Sequence, residues 1–277
     1  MTKQLLAGFA VCTSFLWADF SYQQTSKMTG GAMVKMMASF SKQMSEPTVS
    51  TVLVKGDRMA HINSRTAVIT DLKSGTLTTI DFQRQTYSVV TFAQMAAMIN
   101  SVGQQGGDQG ANFKISVKQT GQTRQIGNFA TTEAVLTLEM GSADQQKGNQ
   151  GPMVMVNDMW LASRVPGYGE VKAFHARMAK TGTWAPDSSV GGFGASRSGM
   201  AKGMQEVSQE IAKMDGVPVF VVMKMTGQGA PGAGSGVLME VTTETGNFSS
   251  APVDGSKFDI PAGFKQVESQ MLKRGRR

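Results

Sequence analysis

The stretch from 48 to 91 constrains the fold more than any other part of the chain. It reads TVSTVLVKGDRMAHINSRTAVITDLKSGTLTTIDFQRQTYSVVT. Runs rich in Val, Ile and Thr are separated by short polar turns, which is the pattern of strands joined locally. Residues 48–54 and 58–62 predict a hairpin around Lys55-Gly56-Asp57. Residues 66–72 and 76–82 and a strand starting at Thr86 continue it, with turns at Lys73-Ser74-Gly75 and at 83–85. Strands joined by so few residues pair antiparallel with their sequence neighbours, because a parallel crossover needs a dozen residues or more.

The rest of the chain extends this frame. Residues 19–27 predict a first strand, broken at Thr29-Gly30-Gly31. Met33, Met36, Met37 and Phe40 share one helical face within 32–44, before Pro47. Phe92, Met95, Met98 and Ile99 do the same within 92–102. Strands are predicted at 113–119, 122–126, 130–140 and 152–162, with polar loops at 103–110 and 141–150. A helical stretch follows from 166 to 180, then a Gly/Ser-rich linker at 185–199. Met200, Met204, Val207, Ile211 and Met214 mark the clearest amphipathic helix in the chain, stopped by Asp215-Gly216. Final strands are predicted at 217–226, 237–245 and 258–260. Strands, a helical insertion and more strands predict one α+β domain over residues 19–270, built on a large antiparallel sheet.

The N-terminal text MTKQLLAGFAVCTSFLWA has a cation at Lys3, an apolar run and a small residue at Ala18. That is the layout of a secretory signal peptide, so residues 1–18 are expected to be removed and the protein to be periplasmic or secreted. The only cysteine, Cys12, lies inside that leader. The exported chain is then expected to rely on its core, without disulfides or thiolate metal ligands. The net charge of +7 is concentrated at the C-terminus, where Lys273, Arg274, Arg276 and Arg277 form a basic tail within 271–277. Such a tail can contact an anionic membrane surface. No nucleic-acid motif accompanies it.

Catalytic patterns are weak. The two histidines, His61 and His175, have no His or Cys spaced to join either at a metal. GASRSG misses the nucleophile-elbow pattern. Gly227-Gln228-Gly229-Ala230-Pro231-Gly232 matches a dinucleotide-loop spacing, but Pro and Gly follow where a helix is needed, so it reads as a hairpin loop. No cofactor is expected. Methionine is the compositional oddity, at 21 residues, several of them in pairs such as Met153 with Met155 and Met223 with Met225. Thioethers suit Cu(I). They also suit a pliable apolar interior or a soft cavity for an apolar ligand.

Four segments then resemble a known family. IGNFATTEAVLTLEM, MWLASRVPGYGE, GVPVFVVMKMTG and APVDGSKFDIPAGFKQVE are similar to the text of the LolA-like lipoprotein-carrier superfamily. More closely they resemble an exported bacterial domain family of unknown function with that fold. The resemblance implies a curved antiparallel sheet, an incomplete barrel, wrapped around helices. It implies a hollow that holds acyl chains of lipoproteins. On that basis the expected ligand-lining residues are Met95, Met98, Met153, Met155, Trp160, Met204, Ile211, Met223 and Met225. The expected function is non-catalytic binding or carriage of a hydrophobic, acyl-bearing ligand. The alternatives are a structural or stress-response interaction protein with a filled core, and an exported Cu(I)-binding protein.

Overall fold

The computed structural model describes residues 19–32, 34, 46–105, 112–141, 153–181, 214, 216–227, 236–270 and 272. The expected leader, the basic tail, most of the helical stretches at 32–44 and 200–214, and therefore Met204 and Ile211, lie outside them.

Strands β1 (Phe20–Gly30), β2 (Thr48–Lys55), β3 (Arg58–Ile62), β4 (Thr66–Asp71), β5 (Thr76–Asp81) and β6 (Thr86–Thr91) come first. Helix α1 (Phe92–Gln105), strands β7 (Asn112–Ile126), β8 (Phe129–Gly141) and β9 (Met153–Ala162), and helix α2 (Gly169–Lys180) follow. Strands β10 (Val217–Gly227), β11 (Gly236–Ser249) and β12 (Lys265–Gln266) complete the set.

Local chemistry explains the meander. The turns after β4 and β5 repeat one device. Asp71 Oδ1 accepts the amides of Lys73 at 2.8 Å and Ser74 at 3.0 Å, and Asp81 Oδ1 accepts the amide of Arg84 at 2.9 Å. Each turn ends in the left-handed region, at Gly75 (φ 64°) and at Gln85 (φ 52°). Glycine takes that conformation freely, whereas glutamine is there only because its turn is fixed on both sides. Helix α1 starts from a capping box. The Gln94 amide donates to Thr91 Oγ1 at 3.1 Å, and the Thr91 amide donates to Gln94 Oε1 at 2.9 Å.

Among the described residues, twelve strands join one unclosed sheet in the order β12-β6-β5-β4-β3-β2-β1-β11-β10-β9-β8-β7. Strand β1 is the seam. It pairs antiparallel with β2 on one side and with β11 on the other. Register irregularities fall in the pairings β1–β11, β11–β10, β10–β9 and β8–β7, and none is found in the pairings from β1 to β6. Irregularities of this kind bend strands and increase their twist.

The sheet is antiparallel as expected, except that the two-residue β12 lies parallel to β6 at Lys265↔Thr86 and Gln266↔Tyr87 and makes it mixed. Two expectations are corrected. The segment 258–260 is not a strand. Phe258 ends a 3₁₀ turn, Gly255–Phe258, capped by Asp254, whose carboxylate accepts from the Ser256 amide and hydroxyl. The text 113–126 forms one strand, with a register shift between Gln119 and Thr123.

The two faces are covered differently. On one face, Phe258 and Val253 pack with Leu53, Ala60, Ile69 and Ile80, and Phe264 meets Phe82 edge-on at 6.3 Å. The text FDIPAGF thus works as a two-aromatic clasp over the meander. Asp19 helps hold that segment. Its Oδ2 takes Lys55 Nζ at 2.6 Å and the Val253 amide at 2.7 Å. Burial pushes the Asp19 carboxyl up, but the Lys55 and Val253 hydrogen bonds outweigh it and the net shift is downward. This contribution to stability is therefore present above the ordinary carboxylate range and lost as pH falls through the lowered value.

On the opposite face, α2 sets Val171, Phe174 and Met178 against Phe20, Tyr22, Val52, Val54 and Val219. Arg177 pins the helix to the β2–β3 turn, donating to the Gly56 carbonyl at 2.8 Å and bridging Asp57 at 3.2 Å. No helix among the described residues is long and apolar enough to cross a membrane.

Candidate functional site

The face that carries α2 continues past β1 onto β11, β10, β9, β8 and β7. Side chains two apart on a strand share a face, and the register fixes which rows meet. One row runs Ile115, Leu138, Met155, Met225, Met239. The next runs Val117, Leu136, Asn157, Met223, Val241, Met28. With Met153, Met159, Leu161, Ala134 and Val221 they form a single apolar cluster, to which Met214 adds from outside the sheet. Eight methionines gather there.

This places the sequence-derived residues unevenly. Met153, Met155, Met223 and Met225 stand together in this wall. Met95 does not. It is buried beside Leu77 and Val90, where α1 lies on the meander, with Met98 half-buried one turn along. Trp160 is on the other face, because it is out of step by one residue with Met153, Met155 and Met159. Period-two counting along β9 alone gives that result. Met28, Met159 and Met239 were not singled out by the sequence. Met28 and Met239 join the wall only through pairings between β1 and β11 and between β10 and β11, which local text does not reveal.

Asn157 is the exception in the wall. It sits between Leu136 and Met223 across the strands, with Met155 and Met159 on either side along β9. An amide among apolar side chains is the type of group that orients a ligand in an otherwise non-directional site.

Behind the wall, the reverse face of the same strands sets charged side chains among apolar ones such as Trp160, Phe220 and Val135. Arg124 lies over the Trp160 ring at 4.7 Å and the Phe220 ring at 5.0 Å. Glu133, paired across from Trp160, accepts a hydrogen bond from the Thr120 hydroxyl. Asp158 is its diagonal neighbour, paired across from Val135. Asp158 Oδ1 is buried and has no hydrogen-bond partner among the described residues. Burial raises the Asp158 carboxyl above its ordinary value, the charge and contact of Glu133 raise it further, and Arg124 and Lys224 oppose.

Among the described residues, no three His, Cys, Asp or Glu side chains stand close enough to hold a metal ion together. No protein-family model matches the chain, and no curated protein is similar to it.

Proposed function

We propose that this is an exported, non-catalytic envelope protein that carries or holds a hydrophobic, acyl-bearing ligand, and that its sheet is an incomplete barrel of the lipoprotein-carrier kind. The observation that carries the reading is the methionine wall. Ordinary cores are dominated by Leu, Ile, Val and Phe, whose rotamers are well defined. A wall with eight methionines is instead adaptable, since unbranched thioethers reshape around flexible chains. An acyl chain laid on it gains about 25 cal/mol per Å² of apolar surface removed from water. Asn157 supplies a polar point within reach of an ester or headgroup. The unclosed sheet, with α1 and α2 on the same face as the wall, supports the same reading.

The experiment is native mass spectrometry of protein purified from its own envelope. The expected result is co-purified lipid or lipopeptide, lost after organic extraction and regained from an acyl-chain mixture. A bare protein that regains nothing would end the carrier reading.

A second reading is favoured by the same clustering. Met155, Met225 and Met239 stand side by side on three adjacent strands, and soft thioethers select Cu(I). These residues are also buried, as expected of packing. The expected outcome of an anaerobic Cu(I) titration is therefore no binding that competes with a weak chelator. A stoichiometric site abolished by Met225→Leu would instead establish a copper protein.

A further inference from the structure

We propose that Glu133 and Asp158 form a proton-operated latch on the face of the sheet opposite the methionine wall, tying β8 to β9 when one proton lies between them and loosening the two strands when it leaves. The pair is built from geometry. The two carboxyls are diagonal neighbours on adjacent strands, Glu133 in the Trp160 row and Asp158 in the Val135 row. Glu133 already accepts from the Thr120 hydroxyl, and Asp158 Oδ1 is buried without a donor. Two ionised carboxylates have no hydrogen to share. One proton turns Asp158 into a donor to Glu133, which satisfies the contact and removes a like-charge repulsion.

The surrounding charges do not replace that proton. Arg124 from β7 faces the pair, but it is an exposed residue whose guanidinium is stacked on Trp160 and Phe220. Lys224 from β10 faces it from the other side and is bridged to Glu240 of β11 at 3.5 Å. Lys118 of β7, opposite Val135, is exposed, and Glu244 of β11, opposite Phe220, adds negative charge. Glu139, further along β8, is bridged to Lys114 at 3.5 Å.

The direction of the effect follows from the raised Asp158 carboxyl. The latch contributes fully below the ordinary carboxylate range, about pH 4, and its contribution is lost as pH rises through the raised value. Asp19 and Asp254 are shifted the other way, so acidification weakens their contributions while it closes the latch. Because Ala134, Leu136 and Met159 alternate with Glu133, Val135 and Asp158 along the same strands, the proton state of one face bears on the rigidity of the methionine wall on the other.

The test is amide hydrogen exchange with urea midpoints, on the full chain, from pH 4.5 to 8, for wild type, Asp158→Asn and Glu133→Gln. After correction for intrinsic rates, β8 and β9 amides of the wild type should lose protection about tenfold per pH unit inside the titration window, while β3 to β5 amides keep theirs. Asp158→Asn keeps a donor beside Glu133, so it should flatten that dependence and raise the midpoint at pH 7.5. Glu133→Gln should flatten it too, and carries the test if the other variant fails to fold. Constant protection in the wild type, equal responses in both halves of the sheet, or an unchanged slope in the folded variants would overturn the latch.

Discussion

Phe20→Ala should cost about 3–5 kcal/mol of folding stability, the range for removing a buried aromatic. Phe20 is 0% exposed. Its ring centroid lies 6.2 Å from Tyr22, 6.1 Å from Tyr168 and 6.2 Å from Phe248. Those partners come from β1, the loop before α2 and the end of β11, so one ring joins three distant parts of the chain. Gly167 makes room for it. A Cβ there would stand 2.7 Å from Phe20 Cδ2, and the residue has φ +83°. The site is therefore shaped for the ring, and a cavity left by truncation has little backbone freedom to collapse.

The location makes the loss global. Phe20 is on β1, whose neighbours β2 and β11 begin the two halves of the sheet. A typical domain has about 5–15 kcal/mol in all, so the expected loss is a large share. Urea unfolding followed by far-ultraviolet circular dichroism and by tryptophan emission should shift together, since Trp160 reports from the half beyond the seam. Phe20→Leu should recover most of the midpoint. A shift below about 1 kcal/mol, the size of an ordinary substitution, would mean that the aromatic cluster is not the keystone of the seam.

The parts of the fold that could be read from the sequence are those with local causes. The hairpin at Lys55-Gly56-Asp57 and the meander to Thr91 were legible because Gly and Asp fix turns within a few residues. Helix α1 was legible because its apolar spacing agrees with its start. The clasp was not. Phe258 and Ile260 alternate like a strand, but Asp254 and Ser256 close a 3₁₀ turn first, and Ile260 stays 40% exposed. Strand β12 has only two residues and is held by a partner nearly 180 positions earlier, at Thr86 and Tyr87. The placement of β1 between β2 and β11 is likewise a long-range outcome, and no local pattern encodes it.

The site divides along the same line. Met153 with Met155, and Met223 with Met225, could be paired by period two alone. That these two pairs face one another, with Met28 and Met239 added, depends on register. Trp160 falls outside the wall because its parity along β9 is opposite to that of Met155 and Met159. The carboxyl pair was invisible for a similar reason. Glu133 and Asp158 are 25 positions apart and meet only because β8 and β9 align as they do.

Met225→Ala separates a container from a filled interior, and the two cases predict different pairs of measurements. Met225 is 7% exposed and lies between Met155 and Met239 in the row that starts at Ile115 and Leu138. Removing its side chain deletes volume from the middle of the wall. If that wall is packed solid, the neighbours lose contacts and a cavity remains, at about 2–5 kcal/mol. If the wall lines a space that already accommodates a ligand, fewer contacts exist to lose. The stability cost then falls below that range, and the deleted thioether appears instead in binding. Titration with a fluorescent fatty-acid analogue should show uptake by wild type and measurably weaker or altered uptake by the variant, because about 0.8 kcal/mol accompanies each buried methylene-sized group. Met225→Leu keeps the apolar volume and should preserve stability in both cases. It loses the flexible thioether, so a container should hold the probe with narrower chain-length preference. The carrier reading therefore requires a small midpoint shift together with a changed probe titration. A large midpoint shift, with no probe bound by wild type or either variant, would show that the methionines are permanent packing and that the protein acts through its surface.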